Sequence, residues 1–377
     1  MNTKIYFISA LASMALLSGC SDNELASVET SQKTPIGFHT VGSQMGSRAT
    51  IITPSNLKDK DFNVYAFTSN EDGSDGTLFM GNNDDAQGYN GINISYKGGK
   101  WDYTTTGELY YWPNETLLNF YAVSPATTHL FSWQISASKK EIHYVCYDEY
   151  GAEGNPSYVD VMYAIAPKQT QKTNSGIVKL QFRHITSQVV FKAKKQLSNM
   201  NVEIESIVLH NLKNSAIFTI PTTDKAPAQE DWTYNNNLYT SNGHTVIKGA
   251  SINVGTTETD ISIDKPMLLI PQTLTKWNTS HNTTEANTKG ESYLEINCKI
   301  FQNGAYLHGS ATDYAKLYVP FSASWEPGKR YVYTLIFGGG YTDQGVPVLS
   351  PINFEAEVSN WAEDINNTTN GNDVIIQ

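Results

Sequence analysis

The residue whose position best defines a chemistry is Cys20. It ends the tetrapeptide Leu17-Ser18-Gly19-Cys20, which has the small residues and the cysteine of a bacterial lipobox. The thiol of such a cysteine accepts diacylglycerol before the signal peptidase cleaves the chain. Lys4 and the apolar run at 5–17 fit this interpretation, because together they form a signal peptide too short to span a bilayer well. The sequence therefore predicts a signal peptide over residues 1–19 and lipidation at Cys20.

Lipidation predicts how the mature chain is held at a membrane. More than one acyl chain on Cys20 is enough for stable anchoring. No later apolar run approaches the ~20 residues that a membrane-spanning helix needs. We therefore expect a soluble body that is held by lipid alone.

The sequence offers almost no pattern that is typical of catalysis, and the one enzymatic alternative, a hydrolase, would require two carboxylates that converge in a cleft. It has no Gly-x-Ser-x-Gly elbow, no His-Glu-x-x-His pair and no Cys-x-x-Cys. The eight histidines are scattered, and His184, between two strand patterns, fits a structural role better than that of a ligand or base. We expect a protein that is not an enzyme, without catalytic residues, metal site or cofactor.

The charge of the chain excludes nucleic acid as a partner. The formal net charge is −11, and Arg48, Arg183 and Arg330 are the only arginines. Binding to nucleic acid requires a basic surface, which this composition does not supply.

Two cysteines remain once Cys20 is lipidated, Cys146 and Cys298. Both lie in strand-like segments. A disulfide between them and two separate buried thiols are both compatible with the sequence, because two cysteines give no spacing signature.

Alternation of apolar and polar residues, bounded by Gly, Asn, Asp and Pro, recurs along the chain and predicts an all-β fold. In one such strand, Phe62, Val64 and Ala66 share a face. The predicted strands cover residues 62–67, 118–123, 178–182, 189–193, 202–209, 261–270, 293–301, 331–337 and 352–358.

Helical periodicity is weak, and long polar runs predict surface loops. Residues 184–188 and 222–231 could form single turns, and 275–290 is rich in Thr, Asn and Ser, as surface loops are. Length and strand number predict two sandwiches of similar size. We place the boundary in the linker Pro167–Gly176, which gives domains over 49–172 and 173–377.

The segment before the first domain contains a strand and a protease-sensitive loop. Ile36 and Phe38 lie on one side of the predicted strand at 36–41, and a loop of small residues around Arg48 follows. Such loops are preferred sites of nicking, so an Arg-specific protease would cut at Arg48–Ala49. The cut would detach the tether and strand of residues 20–48 and open a groove that a strand of another molecule can fill. The alternative is that the strand stays in place.

A cluster of aromatic residues supports a second hypothesis. Tyr110, Tyr111 and Trp112 could stack on sugar rings if they are exposed, or fill the core of the first domain if they are not. Alternation favours the core for most of them. Exposure would indicate a surface glycan-binding lipoprotein.

The chain resembles the fimbrillin family, the Mfa-like subunits of type V pili in Bacteroides-type bacteria. The resemblance extends over most of the mature chain and rests on the order of short segments. They are the lipobox ending in Cys20, Ile36–Phe38, Ser47-Arg48-Ala49-Thr50, Phe62–Ala66, Trp101–Tyr103, Tyr111–Pro113, Leu118–Ala122, Asp160–Ala164, Leu180–His184, Pro327–Tyr331 and Trp361.

This resemblance implies two transthyretin-like β-sandwich domains in tandem and export to the outer membrane surface as a lipid-anchored precursor. It also implies trimming after the arginine that matches Arg48. Assembly with other pilus subunits would follow by strand exchange, usually with a C-terminal segment as donor. The corresponding tail of this chain has one apolar run, Val374-Ile375-Ile376. A fimbrial subunit or fimbria-associated adhesin, with a host or bacterial surface ligand, is therefore the first hypothesis.

Overall fold

β-Strands are the main regular structure in the part of the chain that the structure describes. This computed structural model describes residues 33–41, 57–82, 91–126, 131–146, 158–235, 243–262, 266–338, 341–347, 353–360 and 372–374. The all-β class predicted from the alternation of residues is confirmed.

The strands are numbered in chain order. The first eleven are β1 (Gly37–Val41), β2 (Phe62–Ser69), β3 (Asp75–Met80), β4 (Ile92–Lys97), β5 (Lys100–Tyr103), β6 (Leu118–Ser124), β7 (Phe131–Ile135), β8 (Lys140–Val145), β9 (Met162–Gln169), β10 (Ile177–Gln181) and β11 (Arg183–His184). The rest are β12 (Ser187–Lys195), β13 (Met200–His210), β14 (Ser215–Thr219), β15 (Trp232–Tyr234), β16 (His244–Ile247), β17 (Ile252–Asn253), β18 (Thr259–Asp260), β19 (Met267–Leu269), β20 (Thr275–Lys276), β21 (Glu291–Gln302), β22 (Ala305–His308), β23 (Ala315–Pro320), β24 (Lys329–Phe337), β25 (Asn353–Asn360) and β26 (Asn372–Val374).

Helical structure is short. Helix α1 covers Thr283–Lys289, and single 3₁₀ turns cover Leu57–Asp59, Thr173–Gly176 and Gln229–Asp231.

The largest sheet has the order β10-β1-β5-β4-β2-β6-β9-β11, with β3 paired to β2. It curls strongly. Phe38 on β1 and Phe120 on β6 have ring centroids 6.2 Å apart, although three strands lie between them. In a flat sheet, strands so far apart would be separated by about 19 Å, at ~4.8 Å per strand. The curled sheet therefore encloses a core of its own.

Side chains on one face of each main strand of the sheet line that core. Its members are Ile36, Phe38, Leu57, Phe62, Val64, Ala66, Met80, Ile92, Ile94, Trp101, Trp112, Leu118, Phe120, Ala122, Met162, Ala164, Ala166, Val178 and Leu180. The predicted face of Phe62, Val64 and Ala66 is part of it.

The opposite face of β2, β6 and β9 is also buried. Tyr65, Tyr121 and Tyr163 point away from the first core and pack with a second sheet of order β15-β14-β8-β7. The central strands are therefore apolar on both faces, which explains their nearly continuous hydrophobic sequences.

The C-terminal part forms a separate two-sheet arrangement. One sheet has the order β18-β12-β24-β25-β26 with β19 on β12, and the other has β16-β13-β21-β20 with β17, β22 and β23 attached. Side chains such as Phe191 and Tyr333 from the first and Ile204, Ile296 and Leu317 from the second fill the core between them.

Several strands that follow the predicted domain boundary at residue 172 pair with strands that precede it. Strands β10 and β11 follow the predicted boundary, but they pair with β1 and β9, and β14 pairs with β8. From Thr34 onward the chain forms one unit. The division at 172/173 stays a prediction.

Three local expectations differ from the structure. The predicted loop at 275–290 contains helix α1, because Asn282 and Glu285 cap each other and Gly290 ends the helix with φ of 68°. Among the described residues of the predicted strand at 261–270, which are 261–262 and 266–270, Met267–Leu269 form a strand, and β18 precedes them at Thr259–Asp260. The predicted turn at 184–188 is a short break between β11 and β12.

Candidate functional site

Strand β1 lies inside the largest sheet, with a neighbour on each side. It runs parallel to β10 over five residue pairs, from Gly37 opposite Ile177 to Val41 opposite Gln181. On its other side it is antiparallel to β5, where Phe38 faces Trp101. The predicted strand at 36–41 is therefore present, and both of its edges are paired.

A second antiparallel segment extends this pairing toward the N-terminus. The backbone N–H of Ile36 donates to the Tyr110 carbonyl at 2.9 Å, and the N–H of Trp112 donates to the Thr34 carbonyl at 3.0 Å. Pro35 lies opposite Tyr111 between these two bonds. Residues 34–41 thus occupy one continuous groove.

Alternation along β1 sends every second side chain into the core of the curled sheet. Ile36 is 1% exposed and Phe38 is 6% exposed, whereas His39 faces solvent. The Phe38 ring contacts three other rings edge-on, with centroid distances of 6.4 Å to Phe62, 6.0 Å to Tyr103 and 6.2 Å to Phe120. These two side chains make β1 an integral part of the core.

Two aromatic residues of β5 hold β1 by hydrogen bonds as well. The indole N–H of Trp101 donates to Thr40 Oγ1 at 3.0 Å, and the Tyr103 hydroxyl donates to the Ile36 carbonyl at 3.1 Å. Burial raises the pKa of Tyr103, so its hydroxyl keeps its proton and remains a donor.

The aromatic residues at 110–112 divide between core and surface. Trp112 is 5% exposed and its indole N–H donates to the Gly176 carbonyl at 2.9 Å. Tyr110 is half-buried and stacks on Tyr103. Tyr111, at 41% exposed, is the one ring of the three that faces solvent. The structure does not bring them together as one exposed platform.

Most of the remaining predicted site residues lie outside the part of the chain that the structure describes. Cys20, Arg48 and Ala49 lie outside the described residues, as do Ile375 and Ile376. Val374 ends β26, which pairs with β25 of its own chain, with Val374 opposite Ala356.

Cys146 and Cys298 are buried free thiols in two different cores. His184 Nδ1 lies 2.8 Å from Asp160 Oδ1, which is buried, and this pairing fits the structural role expected for it. Within the ranges described, no group of three or more His, Cys, Asp or Glu side chains is placed to hold a metal ion. None of the helices in that same part of the chain is long and apolar enough to cross a membrane.

Sequence reasoning missed the partners of β1. Thr40 was not singled out, although it continues the alternation of Ile36 and Phe38. The hydrogen bonds that Trp101 and Tyr103 make to residues 36–40, and the parallel pairing with β10, give no local signal in the sequence.

The chain was compared with known protein families, curated proteins and solved structures. A family model described as fimbrillin-like matches residues 47–361. The comparison with curated proteins finds no match.

Several solved structures are similar to this chain, and the first of them shares its fold. A fimbrial protein from Bacteroides vulgatus is 15% identical, with a TM-score of 0.58 over 87% of this chain and 99% of that chain. A candidate cell-adhesion protein from Bacteroides uniformis is 10% identical, with a TM-score of 0.45 over 87% of this chain and 99% of that one. A candidate cell-adhesion protein from Bacteroides eggerthii is 14% identical, with a TM-score of 0.46 over 87% and 96%.

Proposed function

We propose that this chain, which belongs to the fimbrillin-like family, is a fimbrial subunit assembled by exchange of its first strand for a strand of another subunit. The proposal includes export as a lipoprotein anchored through Cys20 to the outer membrane, with trimming at Arg48–Ala49. It assigns the protein no catalytic step and no nucleic-acid partner.

The observation that carries the proposal is the interior position of β1. Removing an edge strand exposes one unpaired edge, but removing β1 exposes two, on β10 and on β5 with the segment 110–112. Unpaired N–H and C=O groups on both sides of a gap form a template for an incoming strand. An entering strand would restore both ladders at once.

Two apolar side chains, Ile36 just before β1 and Phe38 within it, set the stability of such an exchange. Burial of an Ile or a Phe side chain is worth about 1.5–3 kcal/mol, so Ile36 and Phe38 together contribute roughly 3–6 kcal/mol. An empty groove would expose their pockets to water. A donor with matching side chains recovers that energy, which favours a long-lived assembly.

The position of Arg48 fits the release of β1. It follows β1, and the next described element begins at Leu57. A cut at Arg48–Ala49 therefore leaves β1 joined to the lipidated tether and held in the groove without a covalent link to the rest of the fold. The strand can then leave with the tether.

The C-terminal segment is the proposed donor to a neighbouring subunit. Val374, with Ile375 and Ile376 after it, would have to leave the three-residue pairing of β26 with β25 to reach another molecule. That pairing is short, so its loss costs little.

The glycan-binding hypothesis gains no specific support. A stacking platform needs several exposed rings, and Trp112 is committed to the core while Tyr110 is half-buried. We therefore do not advance a second function.

Limited proteolysis of the folded protein with an Arg-specific protease tests the proposal, with intact mass and native gels as readouts. We expect one cut, after Arg48, followed by a ladder of higher oligomers. An Arg48→Gln variant is the matched control and should stay intact and monomeric. Cutting of the wild type without any change of oligomeric state would rule out assembly by strand exchange.

A further inference from the structure

We propose that the groove of β1 selects its donor by the side chain at the position of Thr40, where it requires a hydroxyl group. The full pattern is a large aliphatic residue at the position of Ile36, an aromatic residue at that of Phe38 and Ser or Thr at that of Thr40. This inference rests on the proposed function, because it describes the strand that would replace β1.

The requirement for a hydroxyl comes from Trp101. Its side chain is 6% exposed and is fixed by neighbouring rings, with centroids 4.8 Å from Phe62 and 5.4 Å from Tyr96. These rings pack around the indole, and its N–H donates to Thr40 Oγ1 in a part-buried hydrogen bond. A donor strand with an apolar residue there would bury this N–H without an acceptor, which is costly.

The other polar contacts of the groove discriminate little between sequences. One of them, from Gln171 Nε2 to Thr34 Oγ1, meets a side chain, but it is exposed, and the rest meet backbone groups. Tyr103 donates to the backbone carbonyl of Ile36, and the bonds at Tyr110 and Trp112 also join backbone groups. Any extended strand offers these groups. The backbone hydrogen bonds set the overall affinity for a donor strand, whereas the hydrogen bond from Trp101 depends on the side chain that the donor carries.

The aromatic position follows from the shape of the Phe38 pocket. Rings of Phe62, Tyr103 and Phe120 all meet Phe38 edge-on or tilted. Such contacts add to simple burial and are lost with an aliphatic side chain.

The direction of the donor is set by β10. An entering strand that keeps the five parallel pairs with Ile177–Gln181 places three successive core-facing side chains at the positions of Ile36, Phe38 and Thr40. Reversal would move the hydroxyl away from Trp101.

Residues 362–377 of this chain contain no aromatic residue, so the tail of a second copy would leave the Phe38 pocket partly empty and would be a weaker donor than a strand with the full pattern. The partner that the groove fits best carries an aliphatic-x-aromatic-x-(Ser or Thr) strand.

The test uses the full-length protein with a specific protease site in place of residues 43–48, so that it does not depend on cleavage at Arg48. After cutting, a labelled peptide with the sequence of residues 34–41 displaces the native strand, and fluorescence anisotropy measures its binding. Peptides with Thr40→Val, Thr40→Ser and Phe38→Leu are compared, together with a peptide of residues 369–377.

We expect Thr40→Val to bind about tenfold more weakly, equivalent to ~1.4 kcal/mol, and Thr40→Ser to bind within about threefold of the parent. In a Trp101→Phe protein the preference for Thr over Val should disappear, because the donor is gone. A Tyr103→Phe protein should bind all peptides more weakly by one common factor.

The outcomes separate this inference from the proposed function. Exchange with equal affinity for the Thr and Val peptides overturns the inference and leaves strand exchange in place. A preference for Thr that persists in Trp101→Phe also overturns it. Failure of every peptide to enter the groove of the cut protein overturns both.

Discussion

Lys140 Nζ lies 2.6 Å from Asp75 Oδ2, and the side chains are only 7% and 4% exposed. Lys140 is on β8 and Asp75 on β3, so this ion pair joins the β15-β14-β8-β7 sheet to the largest sheet, beside the core that contains Tyr65, Tyr121 and Tyr163. Tyr121 and Asn119 of β6 donate to the same carboxylate, each at 2.8 Å. Lys140 also donates to the carbonyls of Ser136 and Ala137 at 3.0 Å. Both charges are therefore fully bonded.

Removal of one partner should destabilise the fold strongly. We expect Lys140→Met to lower the free energy of unfolding by about 3–5 kcal/mol, because it leaves the Asp75 carboxylate buried without its cation. Denaturant unfolding followed by tryptophan fluorescence measures the change. Lys139→Met is the matched control, because the Lys139 side chain is exposed where it pairs with Glu141. This variant should lower the free energy of unfolding by less than about 1 kcal/mol. Equal effects of the two variants would contradict the role given to the buried pair.

Helix α1 should depend on its cap. Asn282 Oδ1 accepts from the Glu285 N–H at 2.9 Å, and Glu285 Oε2 accepts from the Asn282 N–H at 3.0 Å. A helix of seven residues has little stability of its own, so we expect Asn282→Ala to cost about 0.5–2 kcal/mol. Hydrogen exchange of the helix amides should rise in this variant. Thr284→Ala, at an exposed helical position, should slow exchange slightly because Ala has the higher helix propensity, and a rise there would argue against the cap.

The two buried thiols should be unreactive in the folded protein. Burial raises the pKa of Cys146 and of Cys298 from 9.0 to about 12. A higher pKa means less thiolate at a given pH, so at pH 8 the reactive form falls about a thousandfold. In a Cys20→Ser variant we expect no alkylation by iodoacetamide at pH 8 until denaturant is added, when two thiols should react. Labelling of the native protein at the rate of a free thiol, or a disulfide detected by mass, would disprove this placement.

Much of the fold could be predicted because its strands have regular alternation. Phe62, Val64 and Ala66 were assigned to one face from spacing alone, and they do line the first core. The burial of Tyr65 and Phe67 on the opposite face was not predicted, because it depends on a second sheet whose strands β14 and β15 come from much later in the chain. Local sequence does not report such long-range pairing.

The candidate site shows the same limit. Ile36 and Phe38 could be identified because their alternation is local, whereas the neighbour β10 is about 140 residues away, by the pairing of Gly37 with Ile177. Helix α1 was missed for another reason: Asn282, Glu285 and Gly290 carry the signals of a helix start and stop, but the run of Thr and Asn between them has low helix propensity. The capping residues outweigh that propensity once the helix packs against β21.

Phe38 gives the sharpest test of what happens to β1 during assembly. In the intact chain we expect Phe38→Ala to lower the free energy of unfolding by about 3–5 kcal/mol, because its pocket among three rings would be left empty. His39→Ala, on the exposed side of the same strand, should change stability by less than about 0.5 kcal/mol. Denaturant unfolding of both variants measures the difference.

The same variant should lose its effect once the protein has assembled. If β1 leaves and a donor strand enters, residue 38 is no longer part of the subunit, so polymers of Phe38→Ala should dissociate at the rate of wild-type polymers. Phe120→Leu alters the wall of the pocket, which stays in both states, and should weaken the intact chain and the polymer alike. The dissociation rates of Phe38→Ala and Phe120→Leu polymers in denaturant, followed on native gels, distinguish the two variants. A polymer weakened by Phe38→Ala would mean that β1 remains in its groove and that the subunits associate through another surface.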